Sequence, residues 1–407
     1  VTELHSGGVL PVLAAVALVG LLPACSGAAA PGAGSEDSVA DDAPAAPGGA
    51  AEPLGFLQGR EVFLPQLAGA PGSPLYVVWQ ERAAERGSDL FIARRSEAGN
   101  FGPPVRVNDD AGGLGGGSLD EGRPAVAVSE GGVLAVAWTG RGGDIRAAVS
   151  TDAGDTFAPA LSLNSDAGTR AYRGFVDVTV DDDGVAHAVW IDGRFAPRGA
   201  EEPAELFYAR IEQGVVTEIN FTEDQQDSIC GCCRPDITAR PAAGLTVAFR
   251  NTGGGYRDVF RLQGGADGTF ATPQRLGPPM WELEGCPVIG PLNVGEATLW
   301  AEASTGKRRI LVATDTGGEY RVAVEDDEDW AIERPPRIVV GSSPAEPMLL
   351  VPGRPAGKIL QGSGADWRVR MTGIPRWAMS AALVDDRLLL LGSLDGDVQT
   401  DIVEIDS

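Results

Sequence analysis

Sulfur chemistry is concentrated in two short segments, Cys230-Gly-Cys232-Cys233-Arg234-Pro235 and Gly285-Cys286-Pro287, which hold four of the five cysteines. Four thiols allow three pairings into two disulfides, and spacing does not choose among them. Disulfides over Cys230, Cys232, Cys233 and Cys286 are the expectation for an exported chain. The alternative is a thiolate site for a soft ion, Cu(I) or Zn(II). Neither segment has a standard zinc spacing, and His187 is the only imidazole in the body of the chain. The second concentration is arginine. Of 32 basic residues only Lys307 and Lys358 are lysines, and arginine's planar fork suits carboxylate and phosphate. Arg123, Arg173, Arg194, Arg234, Arg250 and Arg257 are the candidates for holding an anion.

The elements that must position these residues are short strands. Gly (56) and Pro (29) make up about a fifth of the 407 residues, and 43% are hydrophobic. That composition supplies a core while favouring turns over long helices. A net charge of −25 argues against a nucleic-acid partner, since phosphate contacts need clustered Lys and Arg. An apolar strand ending in an aromatic residue recurs at Leu75–Trp79, Leu134–Trp138, Ala186–Trp190, Leu245–Phe249 and Ala297–Trp300, with anchors 59, 52, 59 and 51 residues apart. Weaker copies are Met348–Val351 and Leu388–Leu391. A period of that length with several strands per unit predicts an all-β propeller over residues 54–407. Counting these second strands gives seven blades. First strands are expected at Pro124–Val128, Phe175–Val180, Asp236–Ala239 and Pro287–Ile289. Third strands open on an acid: Asp89, Asp144, Glu205, Asp258 and, late in the chain, Asp401.

One turn, Ser150-Thr-Asp152-Ala-Gly154-Asp-Thr156-Phe157, resembles the Asp-box of sialidase-like propellers. Degenerate copies stand at Ser96–Phe101, Ala266–Phe270 and Thr314–Gly318. Asp152 can bond the turn's own backbone, and Gly154 can take a positive φ. The resemblance implies six blades, one fewer than the strand count, with residues 326–375 the most degenerate stretch. It also implies a second function class, an exo-sialidase: an arginine clamp for the substrate carboxylate (Arg123, Arg173, Arg234), Tyr256 or Tyr172 with Glu205 as nucleophile pair, and Asp192 as acid. Glycosidases with a tyrosine nucleophile depart from the two-carboxylate rule. The competing reading of the same residues is a lattice of ion pairs tying loops together. The Cys-x-Cys-Cys-Arg-Pro segment with the later Arg-Asp and Cys-Pro resembles an uncharacterised group of exported sialidase-like bacterial proteins, which implies the fold and leaves the activity open.

The apolar run Val9–Leu22 ending in Leu22-Pro23-Ala24-Cys25 resembles a lipoprotein signal, which implies removal of residues 1–24 and acylation of Cys25. Residues 25–53 read as a flexible acidic stalk of Ala, Gly, Pro and Ser. The function expected is a lipid-anchored surface module. It binds an anionic glycan, peptide or protein on an arginine-rich face, as a monomer, with no cofactor and no membrane contact beyond its anchor. The alternatives are the hydrolase and a copper- or zinc-handling protein.

Overall fold

A computed structural model describes residues 54–405, apart from 58, 84–86, 116–119, 170, 196–203, 223–228, 241–243, 278–280, 284–286, 288, 315–318 and 395. The expected leader, the stalk, Cys25 and Cys286 therefore lie outside the described residues. Seven antiparallel sheets follow one another along the chain as the blades of a propeller. The second strand of each carries the repeat seen in the sequence: Tyr76–Arg82, Leu134–Thr139, Ala186–Asp192, Gly244–Arg250, Ala297–Glu302, Met348–Val351 and Arg387–Leu394. Residues 326–375 contain a complete sixth blade, so the count is seven and not the six that the sialidase resemblance implies. The seventh blade has three strands, Ala378–Val384, Arg387–Leu394 and Asp397–Glu404. Asp401 sits within the last of these and does not open it. The fifth blade's first strand is Leu292–Val294; Pro287 and Ile289, expected in it, stand outside any strand, and residue 288 lies outside the described residues.

Apolar residues of the second and third strands face the neighbouring blade on both sides, so these strands read as continuous hydrophobic runs. Trp79, Trp138 and Trp190 are sealed between blades. Among the described residues the ring closes without exchange of strands between its ends. Leu54 and Leu57, from a single helical turn ahead of the first blade, pack with Val77 and Trp79 of that blade and Ala382, Leu389 and Leu391 of the seventh.

First strands line a central channel and have one edge with no neighbouring strand, a cost unless their N–H groups find acceptors. Side chains of adjoining first strands supply them. Asp177 Oδ2 accepts Ile237 N–H (2.9 Å), Thr179 Oγ1 accepts Ala239 N–H (3.1 Å), and Asp236 Oδ1 accepts Asn293 N–H (3.0 Å). At the closure, Ser380 Oγ accepts Leu67 N–H (3.0 Å).

The turn at Ser150–Phe157 closes as its residues suggest. Asp152 Oδ1 accepts from Ser150 Oγ (2.8 Å) and Thr156 N–H (2.9 Å), and Oδ2 accepts from Thr156 Oγ1 (2.6 Å). These bonds, that of the Thr156 hydroxyl first, hold the Asp152 carboxyl down at about 2. Gly154 takes φ +85° with Tyr76 of the preceding blade against it.

Candidate functional site

The loops leading into first strands and those joining second to third strands share one face, here the upper face. The acids that open third strands are structural on it. Asp89 accepts from Asn108 Nδ2 (2.7 Å) and Gly112 N–H (2.7 Å), and Asp144 repeats this with Asn164 Nδ2 (3.1 Å) and Gly168 N–H (3.0 Å). Glu205 accepts from Asn220 Nδ2 (2.6 Å). It stands opposite Asp192 across the sheet, beside the loop-tying network.

The six candidate arginines do not converge on one pocket. Arg173 has a fully buried side chain whose Nε donates to the equally buried Asp192 Oδ2 (2.9 Å), with Asp166 and Asp144 completing its surroundings. Arg194 donates to Asp192 (2.6 Å) and Glu218 (2.6 Å) and stacks on Phe207. Asp192, also bonded by Trp190 Nε1 (3.0 Å), is the hub of a salt-bridge knot and not a solvent-facing acid. Arg250 gives all its hydrogen bonds to carbonyls, those of Arg257, Ile289 (3.1 Å) and Ala301 (2.8 Å). Arg257 is buried and its side chain is engaged. The three-arginine clamp is thus not assembled, because Arg173 is already surrounded by carboxylates.

Arg123 and Arg234 do meet. Arg234 Nη2 donates to Arg123 O (3.0 Å) at the mouth of the channel, and Arg234 Nη1 bonds Val176 O. Arg123 Nη1 reaches Gln66 Oε1 (3.1 Å). Below them stand Asp177 and Asp236, at the same place in consecutive first strands. Burial pushes both carboxyls up. Asp177 is held back by Ile237 N–H and the two guanidiniums, while Asp236, raised further by Asp177, reaches about 8. The channel has a volume of about 1710 Å³. Beside its mouth, burial raises the carboxyl of Glu121, opposed by a hydrogen bond with Tyr172. The Tyr172 hydroxyl lies 2.9 Å from Gly231 O, a second acceptor for its one proton, across to the next blade. Tyr172 (44% exposed), Phe195 (66%) and Tyr256 (36%) are the strongly exposed aromatic side chains among the described residues, and all lie on the upper face of blades three and four. The Tyr172–Glu121 and Asp177–Asp236 pairs escaped sequence reasoning. Only the second had a signal, the 59-residue spacing shared with Trp190 and Phe249.

The cysteine segment leads into the fourth blade. Cys230 and Cys233 are free and buried, with sulfurs 3.3 Å apart; Cys232 Sγ is 3.6 Å from Cys230 Sγ. The expected pairing of Cys230 and Cys233 in disulfides is not found. Their separation is a contact, well beyond the ~2.05 Å of a sulfur–sulfur bond. Cys232 has a partner of its own. The hydrogen bond with Cys233, ahead of opposing burial and the nearby Arg250 and Arg257, lowers Cys230 to about 7; burial pushes Cys233 up. His187 is remote in role from this cluster. Its ring bridges Tyr208 Oη (2.8 Å) and Asp181 Oδ2 (3.0 Å) in the core between strands.

No protein-family model matches the sequence, and no curated protein matches it. Among solved structures the chain is similar to an ulvan lyase of polysaccharide lyase family 25, solved with a glucuronate–sulfated rhamnose ligand. The TM-score is 0.53 at 13% identity, over 85% of this chain and 94% of the lyase. It is also similar to a puromycin-hydrolysing peptidase of Mycobacterium tuberculosis (TM-score 0.51, 13% identity, 86% of this chain), of which it spans about half, 54%. The sheet order defines the class: a seven-bladed β-propeller.

Proposed function

We propose that the chain is an exported, Cys25-anchored binding module that takes an acidic glycan on its upper face, at the channel mouth between the third and fourth blades. The observation that carries this reading is the gathering of Tyr172, Phe195 and Tyr256, exposed, on one face of adjacent blades. Sugar rings stack on such aromatic surfaces, and Arg123 with Arg234 at the mouth supplies the positive charge that an acidic sugar needs. The lyase that shares this fold holds a glucuronate-containing ligand. Cys232 with Cys286 is the proposed disulfide. Calorimetric titration with uronate-containing oligosaccharides tests the site. Tyr172→Ala and Tyr256→Ala should each weaken binding about ten-fold; binding that ignores both substitutions refutes it.

The second reading, a hydrolase, has one observation in its favour, the Tyr172–Glu121 contact. It requires turnover of a fluorogenic sialoside that disappears in Tyr172→Phe. No turnover between acidic and neutral pH removes it.

A further inference from the structure

The glycan site leaves the buried thiols of the fourth blade unused. Cys230, Cys232 and Cys233 place their sulfurs within 4.8 Å of one another, and among the described residues no histidine or carboxylate belongs to the group. Arg250 lies alongside. It is 1% exposed and lies over the Trp281 ring; among the described residues its hydrogen bonds go to carbonyls and its Nε has no acceptor. Its own carbonyl accepts Cys230 N–H (2.8 Å), which joins the two groups through the backbone. A guanidinium cannot shed its proton, and a buried charge is costly without a counter-charge. A negative centre formed at the sulfurs would supply one.

We propose that Cys230 and Cys233 form a two-thiolate site for Cu(I). Two thiols release two protons to solvent and two copper–sulfur bonds form, with no change of oxidation state. The product, one Cu(I) and two thiolates, carries a net charge of −1, opposite in sign to the nearby Arg250 and Arg257. Zn(II) is disfavoured because a closed zinc site needs four ligands, and among the described residues two free sulfurs, those of Cys230 and Cys233, stand together. Soft, low-coordinate Cu(I) is suited to an all-sulfur pair. Cys232, engaged elsewhere, is a neighbour and not a ligand.

The test is anaerobic titration of the full chain with Cu(I) against bicinchoninate, followed by X-ray absorption. One Cu(I) per chain with two sulfur neighbours is expected, lost in Cys230→Ser and in Cys233→Ser. If either variant fails to fold, the wild-type chain still decides. Cu(I), but not Zn(II), should raise its melting temperature and block iodoacetamide labelling of Cys230 and Cys233 in partly denaturing urea, read by peptide mass spectrometry. Uptake undiminished in folded Cys230→Ser, equal protection by Zn(II), or no effect of Cu(I) on melting and labelling overturns the proposal. None of these outcomes bears on glycan binding.

Discussion

Replacing Arg173 by methionine separates an arginine that binds ligand from one that holds loops. Its side chain and that of Asp192 are both fully buried, and Asp166 and Asp144 are only 27% and 19% exposed. Methionine fills most of the volume but removes every ion pair, leaving three carboxylates facing one another. Asp192 keeps Trp190 Nε1 and Arg194 as donors, which places the cost at the lower end of the range for breaking a buried pair, about 3 kcal/mol. With an unfolding entropy of about 2.1 cal/mol/K per residue over some 350 folded residues, that corresponds to about 4 °C in melting temperature. Scanning calorimetry of wild type, Arg173→Met, Asp192→Asn and the double variant measures it. The double variant should melt well above the sum of the two single losses, because the stranded charge is gone. A melting temperature unchanged within 1 °C, together with loss of anion binding, would refute the loop-tying role and restore the clamp.

Two further predictions concern the channel and the closure. The folded chain binds a proton at Asp236 up to about pH 8, whereas an unfolded aspartate releases it near 3.9. This contribution is therefore complete below pH 4 and is lost as pH rises to 8. Between pH 5 and 7 wild type should lose about 2–3 kcal/mol more than Asp236→Asn in urea unfolding followed by tryptophan fluorescence; parallel pH profiles would sink the idea. Leu57→Ala, at a fully buried position between the first and last blades, should cost about 2–4 kcal/mol and begin unfolding at that junction. Hydrogen exchange would show it as early labelling of Val77–Trp79 and Leu389–Leu391, and uniform labelling would contradict the closure role.

The sequence by itself determined the ring. A buried second strand must be apolar on both faces and end at a fixed depth between blades, so Trp79, Trp138, Trp190, Phe249 and Trp300 mark the repeat whatever the loops do. The turn chemistry of Asp152 and Gly154 is local and was legible for the same reason. Only the tertiary structure decided what the arginines are for. Arg173 and Arg194 read as anion ligands until loops from neighbouring strands bring Asp144, Asp166, Asp192 and Glu218 against them. Charge pairing of that kind depends on where separate loops converge, which spacing along one strand does not encode. The same holds for Tyr172 against Glu121, a meeting between segments set by how the blades pack, whereas the contact of the Cys230 and Cys233 sulfurs is local to one loop and only its burial is tertiary.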